Sequence, residues 1–390
     1  MENPKIRFKG FTKDWEQRKF CDVAVRASSV STSSSDIPSV EYEDVVAEEG
    51  RLNKDIRLKE AVKSGIIFDG SQVLYGKLRP YLHNWLNPDF NGIAVGDWWV
   101  LKPINMDKNF LYRLIQTQQF DNIANQSSGS KMPRADWNLI SNSDFMVPFS
   151  KEEQCKIGGY FDSLDNLITL HQRKCEQTKK LKKYMLQKMF PQNGEKVPEI
   201  RFDGFTYDWE QRKLGDDLVS IHTGTNLLGS ITNTGMPLIK MGNIQRGYFD
   251  TSKVDFLAEN EQPDKADIAN YGDFFFNTRN TLELVGKGAT WMKNSGEYAF
   301  NSNIARFELR NLDTIFFNYL YNTDYMTKQI HARAMGTTSV AAIYPRTLDS
   351  VEYLAPCMKE QQKIGAYFKQ LDHLITLHQR QHKLHRNRLL

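Results

Sequence analysis

The fragment Asn87-Pro88-Asp89-Phe90 is the part of this chain closest to a catalytic motif for nucleic acid. It resembles the Asn-Pro-Pro-Phe motif with which amino-methyltransferases hold a target adenine. Its third residue is Asp, however, and no glycine-rich loop of the Phe-x-Gly-x-Gly kind precedes it. The fragment is therefore better explained as a turn between two strands.

Other catalytic signatures are absent from the sequence. It contains no GxxxxGK[ST] phosphate loop, no HExxH zinc motif and no HxE…PCxxC deaminase motif. Metal-dependent nucleases of one large class place a Lys two residues after an Asp or Glu, and this spacing occurs nowhere in the chain. The sequence is therefore predicted to be non-catalytic.

The bulk composition sets broad limits on the function. A length of 390 residues suits about two to three domains, and a net charge of +4 permits nucleic-acid binding without requiring it. The cysteines form no CxxC pair, which argues against a zinc site and a disulfide scaffold; they are Cys21, Cys155, Cys175 and Cys357. No apolar signal region or membrane-length apolar run is present, so we expect a soluble, cytoplasmic protein without a bound metal.

Polar loops with aromatic neighbours offer the chemistry that DNA contact requires. Arg and Lys suit guanine edges, Asn and Gln suit adenine, and Ser and Thr suit phosphate oxygens. The candidates in the first half are Lys77, Arg79, Tyr81, Asn125, Ser127, Ser130, Lys131 and Arg134. The candidates in the second half are Lys240, Asn243, Arg246, Arg279, Asn280, Thr281, Arg333, Thr337 and Thr338. Each loop alone is equally typical of an ordinary polar surface, but their recurrence at similar places in both halves favours DNA contact.

Two repeated segments show how the chain is organised. Residues 4–19, with the pattern Pro-x-Ile-Arg-Phe-x-Gly-Phe-x-x-x-Trp-Glu-Gln-Arg-Lys, recur at residues 198–213. Residues 156–173, which include Leu-Ile-Thr-Leu-His-Gln-Arg, recur at residues 363–380. Repeats with so long a period indicate a domain duplication. We therefore predict a first module over 1–150, a helix and linker over 151–194, a second module over 195–358 and a second helix over 359–390.

The repeated helices carry an apolar stripe with alternating steps of four and three residues. The stripe contains Ile157, Phe161, Leu164, Ile168 and His171 on the first helix, and Ile364, Phe368, Leu371, Ile375 and His378 on the second. This spacing is typical of a coiled-coil seam, in which the two histidines are interpreted as polar residues that set the register. The simplest arrangement buries both stripes against each other in an antiparallel pair, roughly 57 Å long for a helix of about 38 residues, with a module at each end.

The outer faces of these helices and the module interiors are less specific. Lys179-Lys180 and Lys182-Lys183 indicate either a solvated face or a contact with DNA or a partner. The modules are predicted to be mixed α and β (α+β), with strands near residues 72–75, 93–95, 98–101, 273–276 and 305–309 and helices over 109–119 and 314–330. The second helix has no counterpart of residues 184–190, so we expect it to be shorter than the first.

The two repeated patterns resemble those of the specificity subunit of type I restriction–modification enzymes. The resemblance covers the whole chain, and the loops around Lys77, Arg79, Ser130 and Lys131 and around Arg279 and Thr337 match its general pattern. It implies two target-recognition domains joined by two conserved helices in a pseudo-twofold tandem repeat. Each domain would read one half of an interrupted site in double-stranded DNA, and the helices would set the spacer and dock two methyltransferase subunits.

The resemblance also assigns the chemistry to other subunits. Restriction subunits would join the complex afterwards, and S-adenosylmethionine, ATP and Mg would be bound by those partners, with no cofactor in this chain and no membrane contact. Two other functions stay open. One is a methyltransferase or nuclease acting alone, which cofactor binding by the isolated chain would support. The other is a coiled-coil scaffold for proteins, which DNA binding that depends on salt would exclude.

Overall fold

The computed structural model describes residues 4–126, 132–192, 194–233, 235–337 and 339–389. The chain divides into two compact units. The first unit contains the residues up to Leu170 and those from His382 onward, and the second contains His171–Gln381. The boundary thus falls inside the first long helix.

The first unit contains short strands and short helices, and one long helix continues from it into the second unit. Its helices are α1 Phe20–Val23, α2 Lys108–Leu114, α3 Gln118–Ala124, α4 Trp137–Asn142 and the long α5 Lys151–Lys188. Its strands are β1 Glu16–Lys19, β2 Ala24–Ala27, β3 Val30–Thr32, β4 Ser39–Val40, β5 Val45–Val46, β6 Arg51–Leu52, β7 Ser64–Asp69, β8 Val73–Gly76, β9 Trp85–Leu86, β10 Asn91–Ala94, β11 Trp98–Pro103 and β12 Asp144–Val147.

The second unit follows a similar order of elements, with the 3₁₀ helix Pro345–Ser350 in place of α4. Its helices are α6 Leu214–Asp217, α7 Thr314–Tyr321, α8 Asp324–His331 and the long α9 Met358–Leu389, whose last residues belong to the first unit. Its strands are β13 Glu210–Lys213, β14 Leu218–Thr223, β15 Gly229–Ser230, β16 Pro237–Ile239, β17 Asp255–Leu257, β18 Phe274–Asn277, β19 Arg279–Asn280, β20 Gly288–Thr290, β21 Ala299–Phe300, β22 Ile304–Leu309, β23 Met335–Gly336, β24 Ala341–Ala342 and β25 Glu352–Ala355.

Each unit contains a four-stranded antiparallel sheet with the same strand order. The order is β2-β11-β8-β9 in the first unit and β14-β22-β18-β20 in the second. The strands of these sheets are rich in buried aromatic and aliphatic residues, and helices α2 and α3, or α7 and α8, contribute buried apolar residues to the same cores. The α+β class predicted from the sequence is therefore confirmed in both units.

A second four-stranded sheet differs between the units. Both versions contain a parallel pair, β4 with β10 and β16 with β21. In the first unit the antiparallel neighbour β7 pairs with β10, the later strand of that pair. In the second unit the antiparallel neighbour β17 pairs with β16, the earlier strand. The second sheets therefore share one strand pair but are extended from opposite members of it.

The two helical stretches predicted over 109–119 and 314–330 are each interrupted. Residues Thr117 and Thr323 cap the second helix of each pair, because their side chains accept hydrogen bonds from the backbone N–H groups of Phe120 and Met326. The single-helix predictions were wrong at these two threonines. A Thr side chain that satisfies a free N–H group favours starting a new helix over continuing the old one.

Within the second unit, α5 runs antiparallel to α9, as predicted. His171 Nδ1 lies 3.2 Å from His378 Nδ1, the Cys175 sulfur lies 4.0 Å from the carbonyl oxygen of Ile375, and Lys182 Nζ lies 2.5 Å from an Asp372 oxygen. The first number of each pair rises as the second falls, which defines the antiparallel direction. Lys182 of the lysine-rich face is thereby engaged inside the protein.

The apolar stripe of each helix is not buried by the partner helix alone. Ile157 packs on the core of the first unit, and Ile364, Phe368 and Leu371 belong to the core of the second unit. Phe161 contacts the guanidinium of Arg113, which lies 5.4 Å from its ring centre. Near the start of each helix, the globular core therefore covers apolar side chains of the stripe, in addition to the predicted pairing of the two stripes.

Candidate nucleic-acid interface

The repeated segments at the start of each module clamp the long helix to its unit. Arg7 donates two hydrogen bonds, of 2.6 and 2.8 Å, to the carboxylate of Glu153 near the start of α5. Arg201 makes the same pair of contacts, both of 2.7 Å, with Glu360 near the start of α9. Both carboxylates are about 1 % exposed, and two parallel hydrogen bonds fix direction as well as distance. The same structural contact is therefore made twice, once near the start of each long helix.

A glutamine and a glycine complete each clamp. Gln154 accepts a hydrogen bond from the backbone N–H of Asp107, the residue that caps α2, and Gln361 does the same for Asp313 at the start of α7. A methyl group on Gly158 would lie 2.8 Å from the backbone nitrogen of Phe110. The repeated glycine therefore lets the long helix approach the start of a shorter one.

Two candidate loops of the first unit come together beside the end of strand β8. Leu78 and Arg134 form an isolated antiparallel bridge. The N–H of Arg79 donates to the carbonyl of Pro133 at 2.7 Å, and the N–H of Ala135 donates to Lys77 at 2.9 Å. The sequence-predicted residues Lys77, Arg79 and Arg134 are thus neighbours. Ser127, Ser130 and Lys131 lie outside the described residues.

Asp97 connects the two cations of this site. Its carboxylate accepts hydrogen bonds of 3.0 and 3.3 Å from Arg134 and lies 3.5 Å from Lys77 Nζ. The hydrogen bonds from Arg134 hold the pKa of Asp97 below its usual range, so the carboxylate is charged at neutral pH. No sequence pattern marks Asp97, because its role arises only when the loops meet. We name Lys77, Asp97 and Arg134 the Asp97 triad.

The remaining candidates of the first unit differ in availability. Tyr81 is half exposed. Arg79 has a left-handed backbone, with φ near 50°, and its buried Nε atom makes no hydrogen bond within the described residues. Asn125, at the end of α3, is engaged inside the protein, since its amide donates to two oxygens of Asp121. Arg79 and Tyr81 are therefore better placed than Asn125 to contact a ligand.

Equivalent loops of the second unit meet beside the end of strand β18. Strand β19, which contains Arg279 and Asn280, pairs with β24, and β24 pairs with β23 just before Thr337. The backbone bond from Ala135 to Lys77 has its counterpart in a 3.0 Å bond from Ile343 to Thr278. Thr281 follows on the same loop, and Thr338 lies outside the described residues.

A polar cleft of about 330 Å³ opens beside β19. It is lined by residues that include Thr278, Arg279, Asn303 and Tyr344. Its position corresponds to that of the Asp97 triad. The N–H of Thr278 donates to the Asn303 carbonyl as the N–H of Lys77 donates to Asp97.

Two candidates of the second unit hold loops together. Asn243 is 8 % exposed, and its amide group donates to the carbonyls of Asp250 and Lys253. The guanidinium of Arg333 donates to the carbonyls of Gln329, Thr347 and Ser350. The structure thus gives both side chains a stabilising role inside the protein, and their contact with DNA stays a prediction. Lys240 is less committed, as it pairs with Asp255 but stays partly exposed.

Arg246 belongs to a basic corner that the sequence did not indicate. Its Nη2 lies 2.8 Å from Nε2 of His331, the last residue of α8. Lys287 donates a 2.8 Å hydrogen bond to the side chain of Gln245, the neighbour of Arg246. Lys287 precedes β20 and His331 ends a helix, so no local pattern marks either residue as a partner of Arg246.

The catalytic alternatives find little support in the geometry. The fragment 87–90 lies between β9 and β10, so the predicted turn is confirmed. Lys108 donates to the carbonyl of Pro88 and the Asn87 amide donates to Asn109, which ties the turn to α2. Across the described residues, no group of three or more His, Cys, Asp or Glu side chains is placed to hold a metal ion. In the same part of the chain, no helix combines the length and apolarity that a membrane span needs.

Comparison with known proteins adds an independent result. A family model described as the type I restriction modification DNA specificity domain matches twice, at residues 12–180 and 207–384. The type I restriction enzyme MjaVIII specificity subunit of Methanocaldococcus jannaschii is 23 % identical over 289 residues, which are 70 % of this chain and 65 % of that subunit. The crystal structure of a type-I restriction-modification system S subunit from M. genitalium is similar in fold, with a TM-score of 0.62 at 12 % identity, over 100 % of this chain and 97 % of that one.

Proposed function

This chain belongs to the type I restriction-modification DNA specificity family, and from that premise we propose that its two units read the two unlike halves of one interrupted DNA site. The observation that carries the proposal is the meeting of separate polar loops in each unit. Lys77, Arg79 and Arg134 gather beside β8, and Arg279 and Asn280 pair through β24 with the loop before Thr337. These side chains are suited to base edges and phosphates. Because the loops differ between the units, we expect two different half-sites.

We assign to the paired helices α5 and α9 the role of setting the distance between the half-sites. A helix turn rises about 5.4 Å, so a helix is a ruler that changes in defined steps. The clamps support this role, because they fix the start of each helix to a unit through buried Arg–Glu contacts. Deletion of one turn between Ile168 and Lys182 should change the spacer and leave both half-sites intact.

The chemistry of restriction and modification is assigned to partner subunits. We propose that two methyltransferase subunits dock on the helices and that restriction subunits join the complex. S-adenosylmethionine, ATP and Mg would then be bound by those partners, and this chain would act without catalysis. The turn at residues 87–90, tied to α2 through Lys108, supports this division.

An exchange of modules tests the two-reader function. Residues 20–150 are replaced by the equivalent segment of another specificity subunit, and the chain is expressed with its methyltransferase partner. Sequencing of methylated adenines should show one altered half-site and one unchanged half-site, since each unit has its own loops. The matched control exchanges residues 214–350 and should alter only the other half-site.

Other outcomes would exclude the proposal. If one exchange altered both half-sites, the units would not read independently. If the native complex methylated no bipartite sequence, the chain would not be a specificity subunit in this sense. DNA binding that did not depend on salt would favour a protein scaffold, because phosphate contacts release counterions. Binding of S-adenosylmethionine by the isolated chain would favour an enzyme acting alone.

A further inference from the structure

Three loops of the second unit converge on the basic corner formed by Arg246, Lys287 and His331. Arg246 lies in the segment between β16 and β17. Lys287 ends the loop between β19 and β20, and His331 immediately precedes the loop that leads to β23. The direct contacts are the 2.8 Å bond between Arg246 and His331 and the 2.8 Å bond from Lys287 to Gln245.

Buried amides hold the backbone of this corner in place. The side chain of Asn318, which is fully buried, donates a 3.1 Å hydrogen bond to the carbonyl of Gly247. The side chain of Asn322 donates an equal bond to the carbonyl of Gly288. Gly247 and Gly288 are the residues directly after Arg246 and Lys287, and the N–H of Gly247 donates to Gly288 at 3.0 Å. The two cations are therefore mounted on a backbone fixed before any ligand arrives.

The charges of the corner are not neutralised by ion pairs. Within the described residues, neither Arg246 nor Lys287 has a carboxylate oxygen within 4.0 Å, although Glu283 lies near enough to act on Lys287 electrostatically. Burial and the nearby Arg246 both lower the pKa of Lys287, and the same two causes lower the pKa of His331. An anion between these side chains would relieve the repulsion and accept their hydrogen bonds.

The equivalent corner of the first unit has the opposite charge. Glu48 corresponds to Gly247. Each lies four residues after the end of a short 3₁₀ helix, Tyr42–Asp44 or Met241–Asn243, and has a positive φ. The N–H of Glu48 donates to the carbonyl of His83, just before β9, and the N–H of Gly247 donates to that of Gly288, the first residue of β20. There His83 lies 3.0 Å from an Asp121 oxygen and 3.6 Å from a Glu48 oxygen. An imidazole between two carboxylates cannot attract a phosphate. Among the residues that the structure describes, the basic corner is therefore a feature of the second unit alone.

We propose that Arg246, Lys287 and His331 form a phosphate site that grips the DNA backbone and positions the second unit on its half-site. This assignment rests on the proposed function and adds a contact that carries no sequence information. Arg246 and Lys287 supply the charge. His331 accepts from Arg246 through Nε2, which leaves its Nδ1 to carry the proton of the neutral ring and to donate.

The test measures how DNA affinity depends on salt. The full chain, assembled with its methyltransferase subunits, is titrated with a fluorescently labelled duplex between about 50 and 200 mM KCl. The double variant Arg246→Gln/Lys287→Gln should bind roughly tenfold more weakly, and its slope of log affinity against log salt should fall by about 0.9 for each phosphate that the variant no longer neutralises. The adenines methylated by the variant complex should lie in the same sequence as those of the wild type, because backbone contacts do not specify bases.

Matched variants separate this contact from folding and from general charge. Arg246→Lys keeps the cation and should retain the wild-type slope. Lys265→Gln removes one exposed positive charge from another part of the second unit and should also leave the slope unchanged. A wild-type slope in the double glutamine variant would overturn the proposal. A reduction of the slope in the Lys265→Gln control as large as that in the double variant would also overturn it.

Three further outcomes separate this proposal from its alternatives. If the wild-type complex binds DNA but methylates no bipartite sequence, the proposed function fails while the slopes still decide the corner. If the slopes are unchanged but inorganic phosphate raises the melting temperature of the wild type alone, at ionic strength matched with KCl, the corner is a free-anion site and the DNA assignment is wrong. A protein that binds no duplex at all would exclude both proposals.

Discussion

Beside strand β8 of the first unit, Lys77 and Arg134 share the carboxylate of Asp97, whereas the matching positions beside β18 hold Thr278, Ala342 and Asn303. In the first site the Asp97 carboxylate engages both cations, whereas the second site contains a polar cleft. The corners formed by the same elements also differ, since one places His83 between carboxylates and the other gathers Arg246, Lys287 and His331.

The parts that do not differ are those that hold each frame together. The buried pairs Arg7–Glu153 and Arg201–Glu360 have nearly the same geometry, and strand order in the main sheet is the same in both units. The difference teaches that the duplication has kept the contacts between helix and module and has changed the charges at the loop ends. The proposed reading of two unlike half-sites requires this combination.

The largest effect on stability is expected at the clamps, where the two units are most alike. Gly158→Ala should destabilise the first unit by roughly 1–2 kcal/mol, because overpacking of this kind costs about 1–3 kcal/mol and better helix propensity returns part of it. The added methyl group would lie 2.7 Å from Asn109 Cβ and 2.8 Å from the Phe110 nitrogen. Gly365→Ala should cost less, since its nearest contact, the Phe316 nitrogen, is at 2.9 Å. Hydrogen exchange of α2 and α7 in the full chain measures each unit separately.

The neighbouring glycine supplies the control. A methyl group on Gly159 would meet no atom within 4 Å, and the second helix already has an alanine there, Ala366. Gly159→Ala should therefore stabilise the helix, by about 0.5–1 kcal/mol. If Gly158→Ala and Gly159→Ala had the same effect, the close approach at the clamp would not be what requires the glycine.

How much of the structure could be predicted from the sequence depends on how far apart in the chain the contacting residues are. The first repeat contained Arg7 and Arg201 but did not reveal the clamps, because Arg7 and Glu153 are 146 positions apart. Strands β8 and β18 were predictable because consecutive buried residues produce apolar runs. Thr117 and Thr323 carried a usable capping signal that the helix prediction overlooked.

The candidate interface was predictable only in part, for a related reason. Lys77, Arg79 and Arg134 were found because Gly- and Pro-rich polar loops are visible in a sequence. Lys287 and His331 were missed because they join Arg246 through tertiary contacts, the latter across 85 positions. An amide such as that of Asn243 can serve a base or a loop equally well, and composition does not distinguish the two uses.

An intermediate effect is expected from exchanging the charges of the two loop sites. Asp97→Asn removes the carboxylate that engages Lys77 and Arg134, so the first unit should bind DNA several-fold more tightly at low salt. If one of these two cations gains a phosphate contact, the slope of log affinity against log salt should steepen by about 0.9. Fluorescence titration of the assembled complex with duplex DNA measures both quantities.

The reverse substitution in the second unit is the matched control. Asn303→Asp places a carboxylate beside the cleft that Arg279 lines, and it should weaken binding by a similar factor through repulsion of phosphate. If each variant changed the DNA affinity as much at high salt as at low salt, an electrostatic origin would be contradicted, because surface charges are screened at high salt. A weakening by Asp97→Asn would mean that the triad orders the loops for binding.

The dependence of stability on pH sharpens the comparison of the clamps, and Glu153→Gln measures it. The hydrogen bonds from Arg7 hold the pKa of Glu153 below its ordinary value. A carboxylate with a lowered pKa stabilises the folded state above its ordinary pKa, near 4.3, and loses that contribution as pH falls through the lower folded value. The stability advantage of the wild type over Glu153→Gln, measured as the urea midpoint, should therefore be constant near neutral pH and shrink in acid. Glu360→Gln removes the same contact from the second unit, so an equal loss at neutral pH would mark the clamps as equivalent. An advantage that did not change with pH would show that the Glu153 charge contributes nothing to the clamp.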